Sequence, residues 1–133
     1  MKSLAFALLL ALSPLTVDGA PAQEKKKQTP PCDDAGSQFE MNQCADKEYR
    51  AADAELNAVY QRLAAKLDVE SRARLKTVET AWLKYRDANC EYESSFYRGG
   101  TMRPMIHAFC LARVTGARTE ELKGQIEELE QFE

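Results

Sequence analysis

Residues 37–67 read SQFEMNQCADKEYRAADAELNAVYQRLAAKL, and the fold turns on how this stretch is read. Ala45, Tyr49, Ala52, Leu56, Val59, Leu63 and Leu67 recur at steps of four and three, which gathers them on one face of an α-helix. Ser37 and Glu40 have capping-box spacing, in which the serine oxygen and the glutamate carboxylate each accept from a backbone amide that the helix start leaves unpaired. A first helix is therefore predicted from Ser37 to about Lys66 or Leu67.

Moving towards the C-terminus, Asp68 can cap a second helix, in which Leu75, Val78, Trp82 and Tyr85 repeat the spacing as far as Cys90 and on towards Phe96. Arg98-Gly99-Gly100-Thr101 breaks it. Pro104 suits the first turn of a third helix, where Ile106, Phe109, Cys110, Arg113, Val114 and Ala117 lead on to Leu122, Ile126 and Leu129. Gly116 and Gly124 each weaken that helix by about 1 kcal/mol relative to alanine, so its last part is expected to fray. Neither an alternating β-branched run nor an internal repeat is present. The expected fold is all-α, an antiparallel three-helix bundle running up, down and up.

Moving towards the N-terminus, Lys2 precedes the apolar run Leu4 to Leu12, and small residues follow at Ala20-Pro21-Ala22, the pattern of a signal peptide over residues 1–22. The apolar run is shorter than the roughly 20 residues a membrane-spanning helix needs. Cleavage after Ala22 is preferred, with Gly19 and Ala20 as alternatives. Residues 23–31, QEKKKQTPP, offer almost nothing to bury and read as a flexible linker. The folded domain is then 32–133, a single unit. No cysteine lies directly behind the apolar run, the nearest being Cys32, so no stable membrane anchor is expected after cleavage. The expected location is periplasmic or secreted.

The formal charge of the chain is −3. Removing residues 1–22 takes away only Lys2 and Asp18 and leaves that charge as it was, so bulk charge names no partner. It is unevenly spread, however: residues 120–133 hold six glutamates against Lys123 alone, a local negative patch.

An even number of cysteines in an exported chain favours disulfides over metal or redox chemistry. If the second helix runs back along the first, then Cys32, Cys44, Cys90 and Cys110 all come to one end of the bundle. Cys90–Cys110 would clamp the second helix to the third across the Gly-Gly turn, and Cys32–Cys44 would tie the incoming segment down. That pairing is preferred, although the crowding leaves crossed pairings open. Staples matter in so small a domain, since closing a 15-residue loop adds about 3 kcal/mol.

Three groups of residues carry a family resemblance: Asp53-Ala-Glu-Leu56-Asn57-Ala-Val-Tyr60; Trp82-Leu-Lys-Tyr85-Arg86-Asp87-Ala-Asn-Cys90; and Gly99-Gly100 with Cys110 and Arg118. Over roughly residues 32–123 the chain resembles the LprI-like lysozyme-inhibitor family. The resemblance implies an exported domain, with inhibition of lysozyme as the activity that names the family. The residues also have a physical reading. Folding the first two helices back around residues 69 and 70 sets Asp53 opposite Arg86 and Asn57 opposite Trp82. Asp53, Asn57, Tyr60, Trp82, Tyr85 and Arg86 are thus expected to form a structural network that fixes helix register.

Catalysis requires convergent acids, bases or nucleophiles, and none is visible. His107 is the only histidine, and with the cysteines in disulfides a Cys/His zinc site has no ligands left. The adjacent pairs Asp33-Asp34 and Glu127-Glu128 diverge on a helix and do not make a glycosidase pair. Phosphate loops, nucleophile elbows and basic stripes interleaved with aromatics are missing too. The expectation is a non-enzymatic binding protein with no metal, no cofactor and no nucleic acid; nothing in the sequence sets an oligomeric state. Its partner is expected to be a lysozyme, met by Arg98, Gly99, Gly100 and Thr101 and by the acidic C-terminal end. The alternative is a structural or scaffolding protein that binds another envelope protein or a cell-wall component.

Overall fold

The computed structural model describes Cys32 and residues 35–132; the expected signal peptide and linker, Asp33-Asp34 and Glu133 lie outside the described residues. The chain forms three long helices, α1 Gln38–Lys66, α2 Val69–Ser95 and α3 Arg103–Glu130, with no strand among the described residues.

The helix boundaries follow from local chemistry. At the start of α1, Ser37 Oγ accepts from the Glu40 amide at 3.2 Å and Glu40 Oε2 accepts from the Ser37 amide at 2.9 Å, completing the capping box. Asp68 Oδ1 accepts from the Ser71 amide at 2.9 Å, and the bonds from Ser71 hold the Asp68 carboxyl below the usual carboxylate range. Pro104 sits in the first turn of α3, where its missing N–H costs nothing. Fraying beyond Gly116 and Gly124 is not seen, because Leu122 and Ile126 are buried and hold that part of α3 in the core.

Side-chain contacts set the directions. Asn42 Nδ2 donates to the Thr101 carbonyl at 3.2 Å near one end of the bundle, and Lys66 Nζ lies 3.1 Å from Glu130 Oε1 at the other, so α1 and α3 are parallel. Cys90 joins Cys110 near the first end and Arg72 Nε donates to the Ala64 carbonyl at 2.9 Å near the second, so α2 is antiparallel to both. The most extensive helix–helix face is α1 against α3, where the small buried residues Ala45, Ala108, Thr115 and Thr119 let backbones run close. The backbone of α2 packs on α3 and rarely comes as near to α1.

The apolar core has two parts. Leu56, Val59, Leu63, Ala64, Leu75, Leu122 and Ile126 cluster towards the end where α1 meets α2, with Tyr60, Leu67, Trp82 and Leu129 packed around them. Cys90, Cys110 and Leu111, flanked by Tyr49 and Val114, form a smaller cluster at the opposite end. Each fully buried leucine contributes roughly 1.5–3 kcal/mol relative to an exposed one.

The face that α2 turns inward differs from the expected Leu75, Val78, Trp82 and Tyr85. Leu75 is buried and Trp82 half-buried, but Val78 is 52% exposed and Tyr85 59% exposed, while Glu79, Arg86, Cys90 and Ser94 are buried instead. Both sets fit a helical period and lie on adjacent faces. The disulfide to Cys110 and the ion pairs of Glu79 and Arg86 fix the rotation, and periodicity alone does not register them.

Candidate functional site

The disulfides are Cys32–Cys44 and Cys90–Cys110, and no described cysteine is free. Glu48 Oε1 lies 3.2 Å from Cys32 Sγ, and burial pushes the Glu48 carboxyl up. Cys32, Cys44 and Glu48 come together closely, yet both sulfurs are spent in the disulfide, and a metal needs thiolate.

Cys90–Cys110 holds the base of the turn that joins α2 to α3. The Tyr97, Arg98 and Gly100 amides donate to the carbonyls of Ser94, Ser95 and Tyr97, so the chain leaves the helix through a run of tight turns. Gly99 takes φ +80, which L side chains rarely adopt, and a Cβ built there would meet nothing within 4 Å. The bond from Asn42 to the Thr101 carbonyl fastens the far side of the turn to α1. Arg98, Gly99, Gly100 and Thr101 are all exposed. Around them stand Phe96, Tyr97 and Met102, also exposed. Arg98 holds no ion pair among the described residues. The result is an exposed, hydrogen-bonded turn whose Arg98 has no ion-pair partner among the described residues, with exposed apolar side chains beside it.

Two arginines run through the bundle below this turn. Arg86 Nη1 donates to Asp53 Oδ1 at 3.1 Å and to Thr115 Oγ1 at 3.4 Å, and its Nε donates to Asp87 Oδ1 at 2.9 Å. Its guanidinium lies 5.5 Å from the ring centres of both Tyr49 and Trp82. Burial disfavours the cation, but bonds and charges from Asp87, Tyr49 and Asp53 outweigh it and hold the pKa above the ordinary guanidinium value. Arg118 donates through Nε and Nη2 to Glu79 Oε2 at 3.1 and 3.0 Å and through Nη1 to Glu121 Oε2 at 2.8 Å, and it lies 5.9 Å from the Trp82 ring. Here too burial is outweighed, by Glu121 and Glu79. Trp82 therefore touches both guanidiniums.

Of the residues expected in a register-fixing network, the structure brings together Asp53, Arg86 and Trp82. Tyr85 stands outside on the solvent face of α2, for the rotational reason given above. Asn57 bonds within its own helix, donating to the Asp53 carbonyl at 2.9 Å and to Asp53 Oδ2 at 3.2 Å, so it acts on Asp53 and makes no hydrogen bond to Trp82. Tyr60 packs half-buried against the larger core cluster. Asp53, Asn57 and Tyr60 also line a groove of about 190 Å³ between α1 and α2, together with Leu56, Glu79 and Leu83. Sequence reasoning missed Glu79, Thr115, Arg118 as an ion-pair partner, and Tyr49 as an arginine platform. Glu79 and Arg86 share one face of α2 seven residues apart, and that spacing was the available signal.

The expected acidic patch is partly neutralised. Glu120 lies 2.8 Å and Glu55 2.6 Å from Lys123 Nζ, Glu121 pairs with Arg118, and Glu130 pairs with Lys66. Glu127 and Glu128 are exposed. They lie at the far end of α3 from the Arg98–Thr101 turn, roughly 40 Å away at 1.5 Å per residue. One partner surface does not naturally span both, so the turn and the acidic end are separate candidates.

No helix among the described residues is long and apolar enough to cross a membrane. The chain is 40% identical to an uncharacterised protein of Rhizobium meliloti (strain 1021), over an alignment taking in 90% of this chain and 95% of the relative. The crystal structure of a DUF1311-family protein from Pseudomonas putida KT2440 superposes with a TM-score of 0.60 at 23% identity, covering 63% of this chain and 88% of that one. That likeness shows the fold. The model of the family described as lysozyme inhibitor LprI matches residues 32–122, which span both disulfides, the arginine network and the exposed turn. With two thirds of its length matched by that model, the chain belongs to the lysozyme inhibitor LprI family.

Proposed function

We propose that this protein is exported and inhibits a lysozyme by binding, without chemistry of its own, through the Arg98–Thr101 turn. The observation that carries the reading is the hydrogen-bonded turn itself. A lysozyme cleft works through two carboxylates, and a narrow turn bearing Arg98, which has no ion-pair partner among the described residues, offers such a cleft both shape and opposite charge. Gly99 and Gly100 leave the tip without side-chain bulk, so the backbone can approach closely. The Cys90–Cys110 bond and the Asn42 hydrogen bond hold the turn in one conformation before binding, which lowers the ordering cost of association. Phe96, Tyr97 and Met102 supply apolar contact around the charge. Family membership supports the choice of target, and paired disulfides suit an oxidising, extracytoplasmic setting.

The test is lysis of a cell-wall suspension by lysozyme in the presence of increasing amounts of the oxidised protein. Lysis should slow in proportion to the protein added, and Arg98→Glu should weaken the inhibition by at least about tenfold, because it sets a carboxylate against carboxylates. The melting temperature of that variant should stay unchanged, since Arg98 is exposed and holds no ion pair among the described residues. Inhibition that survives Arg98→Glu would remove the turn from the reading.

A further inference from the structure

Helix α2 has a second apolar face that no described residue covers. Val78, Tyr85 and Tyr92 follow one another at seven-residue steps, and Ala81 and Ala88 stand between them, the a and d positions of a heptad pattern. All five are exposed, Tyr92 to 64%. Phe96 extends the stripe, its ring edge-on to Tyr92 with centres 5.2 Å apart. At the other end the stripe runs into a groove of about 490 Å³, where Val78 meets Leu67, Leu75, Leu129 and Phe132. A continuous apolar track of this length marks an interaction surface.

We propose that the track receives a second copy of this chain, α2 against α2 in antiparallel register about a two-fold axis. The argument is self-complementarity, which a two-fold interface demands of its surface. Large and small residues alternate, and one register sets Tyr85 on Ala88 of the partner subunit and Tyr92 on Ala81 of the partner subunit. Symmetry repeats each contact, so large side chains meet small ones throughout. That register also brings Lys84 beside Glu91 of the partner subunit, twice. Lys84 is exposed and holds no ion pair among the described residues, while Glu91 is exposed and its carboxylate pairs with Arg103 among the described residues. Size and charge thus select the same alignment. The dimer would place its two Arg98–Thr101 turns at opposite ends, roughly 35 Å apart along the helices, leaving both free. The inference stands apart from the lysozyme reading and does not need it.

Sedimentation equilibrium of the purified oxidised protein tests it. The expected result is a concentration-dependent dimer that Tyr85→Glu converts to a monomer of unchanged helical content. Lys84→Glu and Glu91→Lys should each weaken the dimer by roughly tenfold, and the two together should restore it. A monomer at every concentration would overturn the proposal, as would a dimer indifferent to Tyr85→Glu or a charge exchange that fails to restore association. A protein that is monomeric from the outset and loses lysozyme inhibition with Tyr85→Glu would assign the track to the target and overturn the proposal equally.

Discussion

Reducing both disulfides should remove about 6 kcal/mol of stability, a large share of the roughly 5–15 kcal/mol that a domain holds. The bonds close loops with sequence separations of 12 and 20 residues, and the chain-entropy relation gives about 3 kcal/mol for each. The two differ in what they hold. Cys32–Cys44 ties the entering segment to α1, whereas Cys90–Cys110 joins α2 to α3, the helix on which most of its packing rests. Losing the second bond should therefore splay α2 and loosen the Arg98–Thr101 turn. Cys90 and Cys110 are buried and meet reductant slowly, so the cleaner comparison is a Cys90→Ala/Cys110→Ala variant. Its melting temperature should fall by roughly 12–24 °C. An unchanged midpoint, or four alkylatable thiols in the native protein, would contradict the disulfide account.

Arg118→Ala is the second large effect, with an expected loss of about 3–5 kcal/mol. Glu79 has a side chain only 12% exposed, and its Oε1 already lacks a hydrogen-bond partner. Removing Arg118 strips Oε2 of both its donors and leaves a buried carboxylate without a cation. Arg86→Ala should cost less, about 1–3 kcal/mol, because the Asp53 side chain is 38% exposed and stays hydrated. What Arg86 loses is mostly packing against Tyr49 and Trp82. Denaturant midpoints for the two single variants give the order directly. Replacing the whole pair, as Glu79→Leu/Arg118→Met, should recover most of the loss, since a buried ion pair is often matched by apolar residues of similar volume. Equal costs for Arg118→Ala and Arg86→Ala would mean that Glu79 is better solvated than its burial implies.

Much of this architecture was legible beforehand, and the exceptions share a cause. Ser37, Asp68 and Pro104 mark helix starts because capping acts within a few residues, and such short-range chemistry is written plainly in sequence. The apolar repeat from Ala45 to Leu67 shows which way α1 faces, because only one face of it is apolar. Helix α2 offers two candidate faces, one with Val78 and Tyr85 and one with Glu79 and Arg86. An apolar count prefers the first. The fold buries the second, since Asp53 and Arg118 supply the opposite charges that make burial of Glu79 and Arg86 tolerable. Partners 33 and 39 residues away decided that rotation, which no local period encodes. The acidic end misled in the same way: the run of glutamates is visible, while Lys66, Lys123 and Arg118, which neutralise part of it, arrive through the fold. The turn at Gly99-Gly100 was legible as a break, while its hydrogen bond to Asn42, on a helix remote in sequence, was not.

Direct titration of a lysozyme with the oxidised protein, followed by calorimetry, reaches the central claim without depending on a lytic assay. The account predicts saturable binding of one lysozyme per turn, weakened at least about tenfold by Arg98→Glu while folding is untouched. Absence of binding heat and full lytic activity at large molar excess, across several lysozyme types, would contradict it.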